Sequence, residues 1–204
     1  MARKITIEEL RELASNARES IWEQAYTRGR EPKIYLHWTA GSYTRLYLDE
    51  YHINITGDGT VWIEADLDEI LSHTYMRNTG AIGVALCCCA GGGSSWLGEY
   101  PPTDAQIQAM AQVIVALCDG LWLTIDKGHV LTHGEAANNE DGIYPHPAYA
   151  WWNDEEGDGN TRGDLEYLGT NESPEYNPYA QDGSRGGDVL RGKANYYRSR
   201  WSEE

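Results

Sequence analysis

Two histidines close apolar runs in the same manner. In "KIYLHWTAG", residues 33–41, His37 follows Ile34, Tyr35 and Leu36, and in "VLTHGEAA" His133 follows Val130, Leu131 and Thr132. Short apolar runs that end near glycine read as buried strands, which puts both imidazoles at a strand's C-terminal edge, where α/β proteins keep their ligands. Two such histidines on one sheet edge can converge on a metal. A hydrolytic zinc site needs a third ligand, histidine or carboxylate, and one position left open for water. Glu135, His146, Asp154, Asp158 and Asp164 all follow His133, and spacing alone does not choose among them. The H-E-x-x-H pattern of a helical zinc site is absent, so the ligands must come from separate segments.

The elements that must position these residues are legible. Thr6 and Glu9 form a capping box, and Ile7, Leu10, Leu13, Ala17 and Ile21 recur at helical spacing, so the charged start of the chain reads as an amphipathic helix over 7–28. Strands are expected at 33–38, on both sides of Gly57-Asp58-Gly59 within 51–65, and at 80–88. Thr103 and Gln106 open a second capped helix whose apolar residues run to Trp122. Residues 129–137 read as a short strand leading into a loop. From 138 to 187 the chain is rich in Asn, Asp, Gly, Pro and aromatics and has no sustained period, which predicts long loops of the kind that carry function or move. Trp151 and Trp152 in that stretch read as anchors of the loops or as a sugar platform. A last helix is expected from about Asp188. The pattern is that of an α/β fold: a single domain over 1–204, with a central mixed β-sheet flanked by helices, its core at about 33–168 and a C-terminal loop and helix over 169–204.

Composition narrows the partners. With 204 residues, 41% hydrophobic and 24% charged, the chain is of ordinary globular make-up. Its 32 acidic residues outnumber 16 basic ones, and a net charge of −16 excludes the basic footprint that nucleic acid requires. The same charge disfavours anionic membranes and anionic wall polymers, a repulsion that salt screens. No stretch has signal-peptide or membrane-span character, so the expectation is synthesis in the cytoplasm with no export signal and no membrane insertion. Cys87, Cys88, Cys89 and Cys118 lack the spaced pairs of a structural zinc site and read as reduced thiols.

Taken together, "YLHWTAG", "YHINITGDGTVW", "HTYMRNTGAIGVAL", "PPTDAQIQAMAQVI", "VLTHGEAA" and "TRGDLEYL" resemble the zinc-dependent N-acetylmuramoyl-L-alanine amidases of the second type, relatives of peptidoglycan recognition proteins and phage lysins. The resemblance runs from about 33 to 168, and the tail "GGDVLRGKANYY" is similar to phage and prophage members. It implies a Zn²⁺ cofactor held by His37, His133 and Asp164. It places Tyr51 of the Tyr51-His52 pair near the metal-bound water, with His52 packed inside, and puts Arg162 where the family carries a basic residue, commonly lysine. It assigns His73 and Asn78, together with Trp38 and Thr39, to the substrate groove. The glutamate that serves some relatives as a base is missing after the 80–88 strand, which leaves Glu135 as the nearest base or as the partner of a ligand histidine. Asp164 fits only if 138–160 is an insertion, and Gly163 stands where close relatives have tryptophan. The implied activity is hydrolysis of the amide between N-acetylmuramic acid and L-alanine in peptidoglycan by a monomeric, phage-type endolysin that acts on the wall after release. A non-catalytic muropeptide-binding module is the alternative, and recognition-only relatives commonly lose a metal ligand.

Overall fold

The structure is a computed structural model that describes residues 1–92, 97–137, 139–143, 164–165 and 186–201. In chain order it consists of β1 (Arg3–Lys4), α1 (Ile7–Tyr26), β2 (Lys33–Trp38), β3 (Ile53–Ile55), β4 (Val61–Ile63), β5 (Ala81–Leu86), α2 (Asp104–Leu121), β6 (Val130–Thr132), α3 (His133–Ala137) and α4 (Gly186–Trp201). The strands form one sheet in the order β1-β4-β3-β5-β2-β6. Strands β3, β5, β2 and β6 run parallel, whereas β4 pairs antiparallel with β3 and β1 antiparallel with β4. The fold is therefore α/β with a mixed sheet, as the sequence pattern implies.

Side chains alternate across the strands, and the two faces have different fates. Ile34, Leu36 and Trp38 of β2, Ile53 and Ile55 of β3, Ile82, Val84 and Leu86 of β5 and Val130 of β6 all join the main core, shared with α1, α2 and α4. The opposite face is smaller: Tyr35, Ala81 and Leu131 pack there with Ala136 of α3. On this second face β5 offers only Ala81, Gly83 and Ala85, so the sheet is shallow just where His37 projects from β2.

Helix α2 is apolar almost all round because α1 and α4 flank it over the sheet. Gly120 lets α1 approach; a Cβ there would stand 2.5 Å from the Ala14 Cβ. Both expected capping boxes form, Thr6 with Glu9 and Thr103 with Gln106. Among the described residues no helix is long and apolar enough to cross a membrane.

Arg3 and Lys4, ahead of the expected helix, form an edge strand paired with Ile63 and Trp62. Three element bounds differ from the expected ones. Helix α1 ends at Tyr26, ahead of Thr27 and of Gly29 at positive φ. Residues 133–137 form a one-turn helix in place of a loop, and α4 begins at Gly186. The first of the two helix starts has a simple cause: Thr132-His133-Gly134-Glu135 is itself a capping box, in which Thr132 Oγ1 accepts the Glu135 N–H at 3.1 Å and the Glu135 carboxylate accepts the Thr132 N–H at 2.9 Å.

Candidate metal centre and active site

Parallel pairing of β2 with β6 sets Leu36 opposite Thr132, so the next residue on each strand, His37 and His133, comes to the same height on the sheet edge. Their Nδ1 atoms lie 3.1 Å apart. Asp164 arrives from a segment distant in sequence, pinned by Leu165, which is fully buried in the main core. Its Oδ2 stands 3.4 Å from His37 Nδ1 and 3.5 Å from His133 Nδ1. Four ligands about 2.0–2.1 Å from a tetrahedral zinc are about 3.3–3.4 Å from one another. The observed triangle has the size of one face of that tetrahedron, and its donor set of two imidazoles and a carboxylate is one that zinc accepts. Among the described residues these three form the only cluster able to hold a metal.

The electrostatics agree with the geometry. Burial works to raise the Asp164 pKa, but His133 and His37 beside it outweigh burial and hold the carboxyl far below the usual carboxylate range. Asp164 is therefore an anion at any pH at which an imidazole can bind a metal. Of the rivals for the third position, His146, Asp154 and Asp158 lie outside the described residues, as do Arg162, Trp151 and Trp152.

Behind the triad the shallow face of β5 is filled by imidazoles. The His73 ring packs edge-on to His37, with centroids 5.4 Å apart, and His52 follows at 5.7 Å. A Cβ on Gly83 would come within 2.7 Å of the His73 ring, so glycine at this position is what admits it. His52 is buried as expected: its Nδ1 accepts the Gly83 N–H at 3.1 Å, and its Nε2 lies 2.8 Å from the Glu69 carbonyl. That pairing leaves the proton on Nε2. Burial lowers the pKa of His52, and burial followed by the neighbouring His37, His52 and His133 drives that of His73 well down. Both rings are neutral.

The Tyr51 ring lies 4.9 Å from that of His37. Its turn is held by Asn54, whose side chain accepts the Tyr47 N–H at 2.8 Å and donates to the Tyr47 and Tyr51 carbonyls. Asn54 went unnoticed in the sequence, where its signal is an amide between the two core isoleucines of β3. Asn78 accepts the backbone N–H groups of His73 and Thr74, at 3.2 and 2.8 Å, and so shapes the turn that carries them. Thr39 is buried, and its hydroxyl has no hydrogen-bond partner among the described residues. Trp38 does not line the groove with it: the indole is buried in the main core on the other side of the sheet.

Glu135 has a different task from the one expected. It is fully buried, and both carboxylate oxygens accept from the Arg191 guanidinium at 2.8 Å, while Oε2 also takes the Thr132 N–H. A carboxylate committed to a fork-to-fork ion pair and a helix cap is not available as a base. The four cysteines are buried free thiols, and burial pushes Cys87 and Cys118 up to about 12. Such thiols are inert at neutral pH.

Sheet order, parallel register and the His-His-Asp triangle define an α/β domain with a candidate mononuclear metal centre at the C-terminal edge of its parallel strands. The family model for N-acetylmuramoyl-L-alanine amidase matches residues 25–147, and the chain belongs to that family. The matched span contains His37, Tyr51, His73 and His133 and stops short of Asp164. Several solved structures are similar to the chain, three of them as follows. The endolysin N-acetylmuramoyl-L-alanine amidase LysCS from Clostridium intestinale URNW is 19% identical over 51% of this chain and 70% of its own, with a TM-score of 0.40. The Ph2119 endolysin from the Thermus scotoductus MAT2119 bacteriophage Ph2119 is 18% identical over 52% and 73%, at 0.41. The Drosophila peptidoglycan recognition protein SD is 18% identical over 50% and 69%, at 0.39. No curated protein matches the chain.

Proposed function

We propose that this chain is a zinc-dependent hydrolase that cleaves the amide between the lactyl group of N-acetylmuramic acid and L-alanine, working as a phage-type endolysin. The observation that carries the reading is the intact triangle of His37, His133 and Asp164 in a chain of this family. Zinc bound there supplies a Lewis acid for the amide carbonyl and lowers the pKa of its water to about 7.

The protein's own share begins with charge and exclusion of water. Asp164 offsets one of the two positive charges, His37 and His133 stay neutral as ligands, and a buried position makes each of these interactions count for more than it would in solvent. Tyr51, whose ring lies beside that of His37, donates its phenol to the oxygen of the scissile carbonyl as negative charge grows there. Glu135 takes no part in proton transfer, so the base role falls to no carboxylate on α3. Arg162 is assigned to the same reading as a fixed positive charge that stabilises but cannot give up a proton. Peptidoglycan is the partner, and the protein acts on it as a monomer after release from the cell that made it.

Metal analysis of the purified chain, together with mass spectrometry of products from purified peptidoglycan, tests this. We expect about one zinc per chain and release of stem peptides with a free L-alanine amino terminus, with both zinc and activity lost in Asp164→Ala, since a single set of three protein ligands with one open position binds one metal. Activity that persists in chelator with no zinc present would overturn the reading. Zinc retained with muropeptide bound but uncut would assign the chain to the recognition class.

A further inference from the structure

Both histidines turn Nδ1 toward each other and toward Asp164 Oδ2, so Nδ1 is the atom each would offer a metal, and this would fix where their protons must be. An imidazole that binds a metal through Nδ1 carries its proton on Nε2 and needs an acceptor for it, usually a carboxylate or a backbone carbonyl. His37 Nε2 instead faces the hydroxyl of Thr74, at 3.3 Å, and the same hydroxyl lies 2.9 Å from Nδ1 of His73.

We propose that Thr74 is a positioning residue that, backed by His73, holds His37 in the tautomer and orientation required of an Nδ1 metal ligand. This rests on the zinc reading of the triad given above. A hydroxyl has one proton to give. If it accepts from His37 it must donate to His73, and the only acceptor His73 can offer is an unprotonated Nδ1. The two imidazoles and the hydroxyl thus form a chain with one direction, His37 Nε2–H to Thr74 Oγ1–H to His73 Nδ1.

Each link is fixed from behind. Asn78 clamps the backbone N–H groups of both His73 and Thr74, Gly83 leaves the bay that the His73 ring occupies, and Thr74 is only 3% exposed, so water does not compete for its hydroxyl. Because the acceptor is a neutral hydroxyl, His37 is oriented without adding a second negative charge to a site where Asp164 already supplies one. The "HT" of "SHTYMRN" therefore serves the metal through Thr74, a residue that neither touches the triad's ligand atoms nor lines the groove in the sequence reading.

The test uses the whole chain. Zinc affinity is measured by competition with a chromophoric chelator for the wild type, Thr74→Val and Thr74→Ser, with far-ultraviolet circular dichroism to confirm folding. Long-range proton–nitrogen correlation spectra of the zinc-loaded wild type report which nitrogen of His37 is protonated. Valine keeps the shape and removes the hydroxyl, so Thr74→Val is expected to bind zinc about 10–100-fold more weakly while Thr74→Ser stays within about threefold, the range seen when outer partners of metal ligands are removed or kept. In the spectra His37 is expected to carry its proton on Nε2. Unchanged zinc affinity in a folded Thr74→Val, or coordination of His37 through Nε2, would overturn the proposal. If Thr74→Val does not fold, the tautomer of His37 and the affinity of Thr74→Ser decide. A wild type that takes up no zinc would instead bring down the reading of the triad, and this inference with it.

Discussion

A histidine in this molecule is defined by what its second nitrogen meets. His129, in a turn, has Asp126 at 2.9 Å from Nδ1 and Glu31 at 2.7 Å from Nε2, both carboxylates that remain accessible to water. His52 meets a backbone N–H and a backbone carbonyl in the interior, which suit only the neutral ring. The consequence for stability has a definite sign. His52 has a folded pKa below its unfolded value of about 6.5, so the unfolded chain binds the extra proton first and stability falls as the pH drops through that value. Glutamine at this position can offer an acceptor and a donor without titrating. Between pH 7.5 and 5.5, in chelator, the wild type is expected to lose up to about 1 kcal/mol more unfolding free energy than His52→Gln, read from urea transitions. Parallel pH dependences in the two proteins would show that His52 is protonated in the fold and that its burial has been misjudged.

At the scale of elements, the turn that presents His133 depends on α4, a helix more than fifty positions further along the chain. Glu135 closes the cap of α3, and Arg191 of α4 neutralises it; their side chains are 0% and 7% exposed. Removing Arg191 leaves the buried Glu135 carboxylate with Lys127 Nζ, 4.0 Å away, as its remaining cation among the described residues, so the loss falls toward the low end of the about 3–5 kcal/mol that breaking a buried pair costs, whereas replacing both partners is far milder. Arg191→Met is therefore expected to destabilise the protein by roughly that amount, and Arg191→Met with Glu135→Gln by clearly less, in a double-mutant cycle followed by urea unfolding. Additive losses would mean that the two groups do not feel each other. This dependence was not legible in the sequence, where Arg191 sits on a tail with no visible link to His133. The cap itself was: "THGE" has the same Thr-x-x-Glu/Gln form as the starts of α1 and α2, and the apolar run before it drew the reading toward a strand that simply continues into a loop. The two-residue β1 was hidden for a different reason, since an edge strand that short has no period of its own and exists only through its pairing with β4. Histidines 37 and 133 could be singled out because strand ends are local features of sequence. Asp164 could not, because nothing local distinguishes it from the other carboxylates after His133; only the family resemblance points to it, and the fold brings it within 3.5 Å of both imidazoles.

On the scale of the whole molecule, the fold separates a helix-covered face, which holds the main core, from a face of small residues where imidazoles gather, and it surrounds both with a net charge of −16. Peptidoglycan stems carry carboxylates, so the proposed substrate arrives as a polyanion and the long-range force on it is repulsive. The range of that force is set by salt: the Debye length is about 30 Å at 0.01 M and about 8 Å at 0.15 M. A single muropeptide with few charges feels little of it, while an intact sacculus presents many carboxylates at once. We therefore expect the rate on intact sacculi to rise as ionic strength increases from 0.01 to 0.15 M, and the rate on a small soluble muropeptide to change much less, both followed by release of free amino groups at constant pH and zinc concentration. Walls that also bear anionic polymers are expected to give the steepest rise. A rate on sacculi that falls with salt would mean that a cationic patch, and not the net charge, governs the encounter.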